Sequence, residues 1–291
     1  MQVRKAVIPA AGKGTRFLPL TKTIPKELLP VLDRPMIHYV LEEALDAGIT
    51  EFIIVSNSSK IALIEYLQSG INESQKSHPE VGRDRSVRRI LNEGSYTFVN
   101  QEMPLGLADA INTAREAIQD EPFAVLLPDD IIYSSEPAIS KVMAIAEEFN
   151  ASTLAVEHVS MENVSNYGII EPEWLENQKY KLITVEEKPD PQYAKSNLGI
   201  IGRYIFTPSI FDALSQVTPG KNGELQLTDG IALLLHNEDM FACHTPGTRF
   251  DVGNPIGLLK ASVAFGLSRE TENHNLRQWL ITELSDSNPR L

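Results

Sequence analysis

The chain has 291 residues, 42% of them hydrophobic and 22% charged, which excludes a disordered or low-complexity protein and suffices for a full core. A formal net charge of −13 excludes a general nucleic-acid-binding surface, and no apolar run approaches the roughly 18 residues that suggest a membrane span. In chain order, MQVRKAVIPA passes from two cations into a strand-like run without the layout of an export signal, so a cytoplasmic protein is expected. The lone Cys243, in FACHT, has no internal disulfide partner and reads as a small buried strand residue in a reducing compartment.

After KAVIPA comes PMIHYVLEEALDAG, where Ile37, Val40, Leu41, Ala44 and Leu45 fall at helical spacing and Gly48 closes the helix. FIIVS then reads as a strand, followed by a helix ending near Gln68. Residues 70–95 are polar and weakly patterned and read as an exposed excursion. Its RDRSVRR run lies among three glutamates, so a solvated loop is favoured over a nucleic-acid patch. YTFVNQ, helical LADAINTAREAI, FAVLLPDD and helical AISKVMAIAEEF complete the first half. Beyond residue 151 the chain is strand-rich (TLAVEHV, YGIIE, KLITVEEK, GIIGRYIF), supplying walls for a cleft, and a long amphipathic helix is expected from about Pro255 to Leu284. This order predicts an α/β protein with a Rossmann-like, doubly wound mixed sheet flanked by helices. One main domain over residues 1–268 and a helical extension over 269–291, placed to meet a second subunit, are expected.

Charge is unevenly spread. Residues 1–40 carry seven cations against two anions, and the remainder nets −18. Within this basic segment lies PAAGKGTRFLPLTKTIPKELLP. A strand followed by AAGKGTR puts backbone amides and the flexible Gly12 and Gly14 at a strand's carboxyl end, where open α/β sheets bind ligands. The stretch fails as a dinucleotide fingerprint, because Phe17 stands where the third glycine belongs, and as a Walker loop, because Lys13 precedes Gly14 rather than Ser or Thr. What remains is a glycine turn with Arg16 and Lys26 behind it, in a loop restrained by Pro19, Pro25 and Pro30. Two such cations on a triphosphate would neutralise charge developing on a pyrophosphate leaving group. From spacing alone, solvated surface charges are an equally good reading.

GKGTRFLPLTKTIPKELLPVLDRPMIHY resembles the signature of the sugar-nucleotidyltransferases, on the side of those that use UTP. The relevant detail is PKE, where the thymidylyltransferases typically carry Gln for that Glu. QEMPLGLADAI, FAVLLPDD, NYGIIEP, VEEKPDP, SNLGIIGRY, GELQLTD and FDVGN extend the resemblance over roughly residues 3 to 268. It implies a fold of the nucleotide-diphospho-sugar transferase type. It also implies reaction of UTP with glucose 1-phosphate to give UDP-glucose and pyrophosphate, with Mg²⁺ as cofactor and a homo-oligomer as assembly.

By the same resemblance Ala10, Ala11, Gly12 and Gly14 meet the nucleotide, and Gln101 with the Gly106 backbone reads the uracil edge. Arg16, Lys26 and Lys188 act on phosphates. Asp129 and Asp251 hold the metal, with Asp130 the local rival of Asp129. Gly168, Glu187, Asn197 and Glu224 lie on the sugar side. The implied attack by a phosphate oxygen needs no Ser, His or Cys base, and the six histidines lack metal-ligand spacing. Three features depart from the family pattern: residues 70–95 lack a longer helical segment, Ala108 and Asp109 stand where glycine and histidine are usual, and Lys221 and Asn222 replace small residues. They leave a thymidylyltransferase, another hexose-1-phosphate nucleotidyltransferase or a weakly active regulatory paralogue as alternatives.

Overall fold

The computed structural model describes residues 1–68, 85–220 and 223–285. Its first part runs β1 (Lys5–Pro9), β2 (Pro30–Val31), β3 (Arg34–Pro35), α1 (Met36–Asp46), β4 (Glu51–Ser56), α2 (Ile61–Gln68), α3 (Arg85–Glu93) and β5 (Ser95–Asn100). Then come α4 (Leu107–Thr113), α5 (Arg115–Ile118), β6 (Phe123–Leu126), β7 (Asp130–Tyr133), α6 (Ala138–Phe149) and β8 (Thr153–His158). The strand-rich part holds β9 (Gly168–Trp174), β10 (Lys179–Glu187) and β11 (Leu198–Phe206), followed by α7 (Ile210–Leu214), α8 (Leu227–Leu234), β12 (Phe241–His244) and β13 (Thr248–Asp251). Two helices, α9 (Pro255–Ser268) and α10 (Glu270–Ser285), follow.

Nine strands form one mixed sheet in the order β5-β4-β1-β6-β11-β8-β12-β10-β9. The first four are parallel, and β11 enters antiparallel to both β6 and β8. The alternation of side chains along each strand divides the apolar residues between two cores. Val7, Ile53, Val55, Phe123 and Val125 face α4, α5, α7 and α8, while Ala6, Ile8, Phe52, Ile54, Ala124 and Leu126 face α1, α2, α3 and α6. Burial on both faces explains why these strands read as continuous apolar runs. Gly199 of β11 also pairs with Ile169 of β9, so β11, β8, β12, β10 and β9 close into a five-stranded ring.

Two expectations change. The tail of the supposed loop is helix α3, whose Ile90 is fully buried and whose Arg89 pairs with Glu93 at 3.0 Å and with Asp46. Single-sequence pattern misses it because, among its described side chains, only the apolar Ile90 is buried; residues 70–84 of that stretch lie outside the described residues. The long final helix is two helices, because Arg269 leaves helical geometry at φ −84°, ψ 122° and its guanidinium reaches Asp33 at 2.5 and 2.7 Å.

The parallel order brings the carboxyl ends of β1, β4, β5 and β6 to one edge of the sheet. Gly12, Asn57, Gln101 and Asp129 therefore start neighbouring loops. Beside them β7 and β13 pair antiparallel, with Asp251 opposite Asp130. Both β6 and this two-stranded sheet thus deliver acids to the same edge.

Candidate active site

The glycine turn is anchored from below. Ala10 N donates to Val55 O at 2.7 Å and Asn57 Nδ2 to Ala11 O at 3.0 Å. Gly14 is left-handed at φ +62°, and a Cβ there would stand 3.0 Å from the Thr21 methyl and 3.1 Å from Lys26 Cβ. Its role in this chain is to let the turn close on the Lys26 segment, whereas Gly12 has open space above it. Phe17 and Leu29 plug the loop into a small core with Val31, Met36, Ile131 and Val252.

A cavity of about 510 Å³ opens over the turn, lined by Ala11, Gly12, Gly14, Lys26, Gln101 and Gly106 among others. Its far wall is set by Gly106, at φ +130°, where a Cβ would meet the Leu225 carbonyl at 2.4 Å. Leu225 N donates to Leu105 O at 2.7 Å and Ala108 N to Leu225 O at 3.0 Å, so the PLG turn and the GEL segment are stitched together. Under the floor, Glu27 and Lys60 are 1% and 6% exposed and paired at 2.8 and 2.9 Å. Burial pulls the Lys60 ammonium below the ordinary lysine range despite the opposing field of Glu27.

A second cavity of about 750 Å³ shares Leu107, Leu127 and Asp129 with the first. It is lined by Arg16, Gly168, Glu187, Lys188, Asp251, Arg249 and Lys260, among others. Glu187 accepts from Thr228 Oγ1 at 2.7 Å and pairs with Lys188 at 3.0 Å. Lys188 sits at φ +46°, an uncommon region for a non-glycine residue, held by its N–H on the Tyr167 carbonyl at 2.9 Å. Among the described residues Arg16 and Lys260 make no ion pair, leaving two free cations on the wall.

Asp129 stands where the cavities meet, and Lys26 Nζ donates to its Oδ2 at 2.7 Å. Burial would raise this carboxyl, but the Lys26 ammonium and the field of Arg16 outweigh it and hold Asp129 below the usual carboxylate range. Lys26 is correspondingly held above its ordinary value: burial pulls it down, and Asp129 and Glu27 more than compensate. Asp251 Oδ1 accepts from Gly253 N at 2.9 Å and Oδ2 from Asn254 Nδ2 at 3.2 Å. Asp129 Oδ2 and Asp251 Oδ1 lie 2.8 and 3.0 Å from one point, the place a Cβ on Gly253 would take. Two carboxylates so close, with no third His, Cys, Asp or Glu completing a metal cluster among the described residues, suit a hard divalent cation that takes its other ligands from phosphate and water.

Asp130 faces away from this point. Its Oδ1 accepts from Arg249 Nε at 2.7 Å and pairs with Nη2 at 2.6 Å, and its Oδ2 accepts from Gly202 N at 2.8 Å. Arg249 also pairs with Glu157 at 2.5 Å and lies over the Tyr167 ring at 5.4 Å. Asp130 is thus fully occupied in shaping the wall.

Three expected residues fall elsewhere than the sequence placed them. Ala10 is fully buried beneath the turn. Glu224 lines the glycine-turn cavity rather than the Lys188 cavity, because the Leu225 stitch carries its segment there. Asn197 lines neither: its amide accompanies the start of β11, donating to Val159 O at 3.2 Å, with its oxygen 3.0 Å from His158 Nδ1. Sequence reasoning misses Arg249, Thr228, Tyr167 and Lys60. The period-two rule flags Arg249, two residues before Asp251 on one strand, and Thr228 lies within GELQLTD, a motif from which sequence reasoning takes only Glu224.

A family model described as nucleotidyl transferase matches residues 5–266. The chain belongs to that family. It is 41% identical over 277 residues to a UTP–glucose-1-phosphate uridylyltransferase of Mycoplasma genitalium, covering 92% of this chain and 94% of that one. A Bacillus subtilis protein of the same name is 40% identical over 283 residues, covering 96% and 95%. Among family members of known structure, a UDP-glucose pyrophosphorylase complexed with UDP-glucose superposes with a TM-score of 0.86 at 39% identity, covering 92% of this chain and all of that one.

Proposed function

We propose that this chain transfers the uridylyl group of UTP to glucose 1-phosphate, releasing pyrophosphate and forming UDP-glucose. The observation that carries the reading is a pair of adjoining cavities meeting at Asp129, one over a glycine turn and one walled by Arg16, Lys188 and Lys260, in a chain 41% identical to a UTP–glucose-1-phosphate uridylyltransferase. The nucleotide occupies the first cavity, with its base against Gln101 and Gly106 and its ribose and phosphates over Ala11, Gly12 and Gly14. Ala10 contributes by backing the turn. The sugar phosphate occupies the second, with hydroxyls on Glu187 and the Gly168 backbone and phosphate on Lys188.

A phosphate oxygen of glucose 1-phosphate attacks the α-phosphorus in line. The new P–O bond forms as the bond to the bridging oxygen breaks, and that electron pair leaves with pyrophosphate. The nucleophile is already an anion, so no proton has to be removed and the protein's task is alignment and charge stabilisation. Lys26 and Arg16 offset charge on the triphosphate. A divalent cation, Mg²⁺ in this reading, is held by Asp129 and Asp251 and supplies Lewis-acid stabilisation of the phosphates when bound.

The parallel β4-β1-β6 order supports a Rossmann-like nucleotide half, and the break at Arg269 supports a boundary between a domain over residues 1–268 and an extension over 269–291, helical to Ser285 and with 286–291 outside the described residues; a homo-oligomer with its subunit contact at this extension belongs to the same reading. Among the described residues no helix is long and apolar enough to cross a membrane, in keeping with work on small soluble substrates in the cytoplasm.

Pyrophosphate release with Mg²⁺ and glucose 1-phosphate tests the reading, with UTP, dTTP, ATP, CTP and GTP compared. UTP is expected to lead. Lys188→Ala and Asp129→Ala are each expected to lower kcat/KM by about 10²–10³ while remaining folded by circular dichroism. A folded wild-type protein that turns over no pair, yet binds UDP-glucose, would point to a regulatory paralogue instead.

A further inference from the structure

Gln101 follows β5 directly, is 4% exposed and lines the glycine-turn cavity. Its Nε2 donates to Asp109 Oδ2 at 2.6 Å and, at the longer distance of 3.4 Å, to the Gly106 carbonyl. Both partners can only accept, since an ionised carboxylate and a carbonyl have no proton to give. The amide is therefore locked in one of its two orientations. Among the described residues nothing donates to its Oε1, which is left for whatever enters the cavity.

Asp109 is itself held in place. It lies in the first turn of α4, next to Ala108, whose N–H is fixed on Leu225 O at 3.0 Å, and its carbonyl accepts from Thr113 Oγ1 at 2.7 Å. The position is also one where this sequence leaves the pattern it otherwise resembles, carrying Asp where histidine is usual.

We propose that Asp109 is a positioning residue for base choice, fixing Gln101 so that the cavity offers the base an acceptor and not a donor. The proposal rests on the uridylyl-transfer reading above. Uracil presents N3–H, a donor, between two carbonyls. Cytosine presents a bare N3 lone pair beside an amino group. A locked Oε1 accepts from uracil N3–H and meets cytosine N3 lone pair to lone pair, whereas an amide free to turn serves either base. The same lock does not separate uracil from thymine, which share that edge.

Asp109→Asn is nearly isosteric, and its amide can either accept from Gln101 Nε2 or donate to Oε1, so both orientations become available. Steady-state kinetics with UTP and with CTP, at saturating glucose 1-phosphate and Mg²⁺, give the ratio of the two kcat/KM values. The ratio is expected to fall about tenfold in Asp109→Asn, with CTP gaining. Calorimetric dissociation constants for UDP and CDP are expected to converge in the same sense. An unchanged ratio, or an equal loss with both nucleotides as a purely structural role would give, overturns the proposal. A folded wild-type protein that turns over no UTP sinks the uridylyl-transfer reading separately, and the UDP-to-CDP ratio still decides the role of Asp109. If Asp109→Asn does not fold, Asp109→Ser, which also donates and accepts, carries the same expectation.

Discussion

Lys26 and Asp129 are 103 positions apart, yet their 2.7 Å contact joins the two cavities. The pair fixes a pH window. The Asp129 carboxyl is lower in the folded state than in the unfolded chain, so its contribution to stability is complete above the ordinary carboxylate value and lost as pH falls through the lower folded one. The Lys26 ammonium is raised, so its contribution is complete below the ordinary lysine value and lost only as pH climbs through the higher folded one. Neither group titrates between about pH 5 and 9. The difference in unfolding midpoint between wild type and Asp129→Asn is therefore expected to be flat across that range and to shrink only below about pH 4, as followed by thermal denaturation. A difference that changes around neutral pH would show that another group controls the site. At this scale sequence reading brings Gly12, Gly14, Lys26 and Asp129 to one place because their motifs are local, and all four line the first cavity. It failed for Asn197, whose side chain is consumed by Val159 and His158 across a strand pairing that a linear chain does not display.

Strands β6, β7 and β11 hold the acid-bearing turn through one buried cation. Arg203, with no exposed surface, donates to Glu43 Oε1 and Oε2 at 2.9 and 2.7 Å, to Gly202 O at 2.9 Å and to Asp130 O at 2.8 Å. Glu43 also accepts from Ile139 N at 2.9 Å, so α1, α6 and the Leu126–Asp130 connection meet at a single guanidinium. Arg203→Ala leaves the Glu43 carboxylate, whose side chain is only 9% exposed, without its cation, which is expected to cost about 3–5 kcal/mol in urea unfolding. A loss well under 1 kcal/mol would mean that the turn is held by packing alone. The strands themselves were legible from their β-branched runs. This bond was not, because Arg203 and Glu43 lie 160 residues apart and GIIGRYIF gives no hint that its one cation points into the core. Helix α3 escaped for the opposite reason: among its described side chains only Ile90 is buried, too little apolar periodicity to read.

At the scale of the whole molecule, the parallel half supplies the glycine turn, Gln101 and Asp129, while the strand-rich half supplies Gly168, Glu187, Lys188 and Asp251. A product spanning both cavities binds a surface that exists only when both halves are folded. UDP-glucose at about 100 times its Kd is expected to add roughly 2.7 kcal/mol of stability. For a chain of this size that corresponds to an upward shift of about 4–5 °C in Tm, measured by differential scanning fluorimetry. A uridine nucleotide that binds without raising Tm would mean that the site forms equally in the unfolded chain, against the long-range origin of its walls. The sequence order of motifs revealed the mixed α/β architecture. It did not reveal that the GEL segment crosses back to wall the first cavity, a placement set by the Leu225 backbone bonds rather than by side-chain pattern.

The closure of β9 onto β11 through Gly199 and Ile169 has a consequence for solubility. A sheet ordinarily ends in two rows of unpaired backbone amides and carbonyls, each a template on which another chain can add a strand. Here β9 pairs on one side with β10, and its first part bends back at Ile169 onto Gly199 of β11 on the other, so that part of the border is withdrawn from self-association. Among the described residues the other border of this nine-stranded sheet is β5, whose Ser95–Asn100 backbone pairs on one side with β4. Strand addition to this sheet is therefore expected first, among the described residues, at SYTFVN, on the border farthest from the ring.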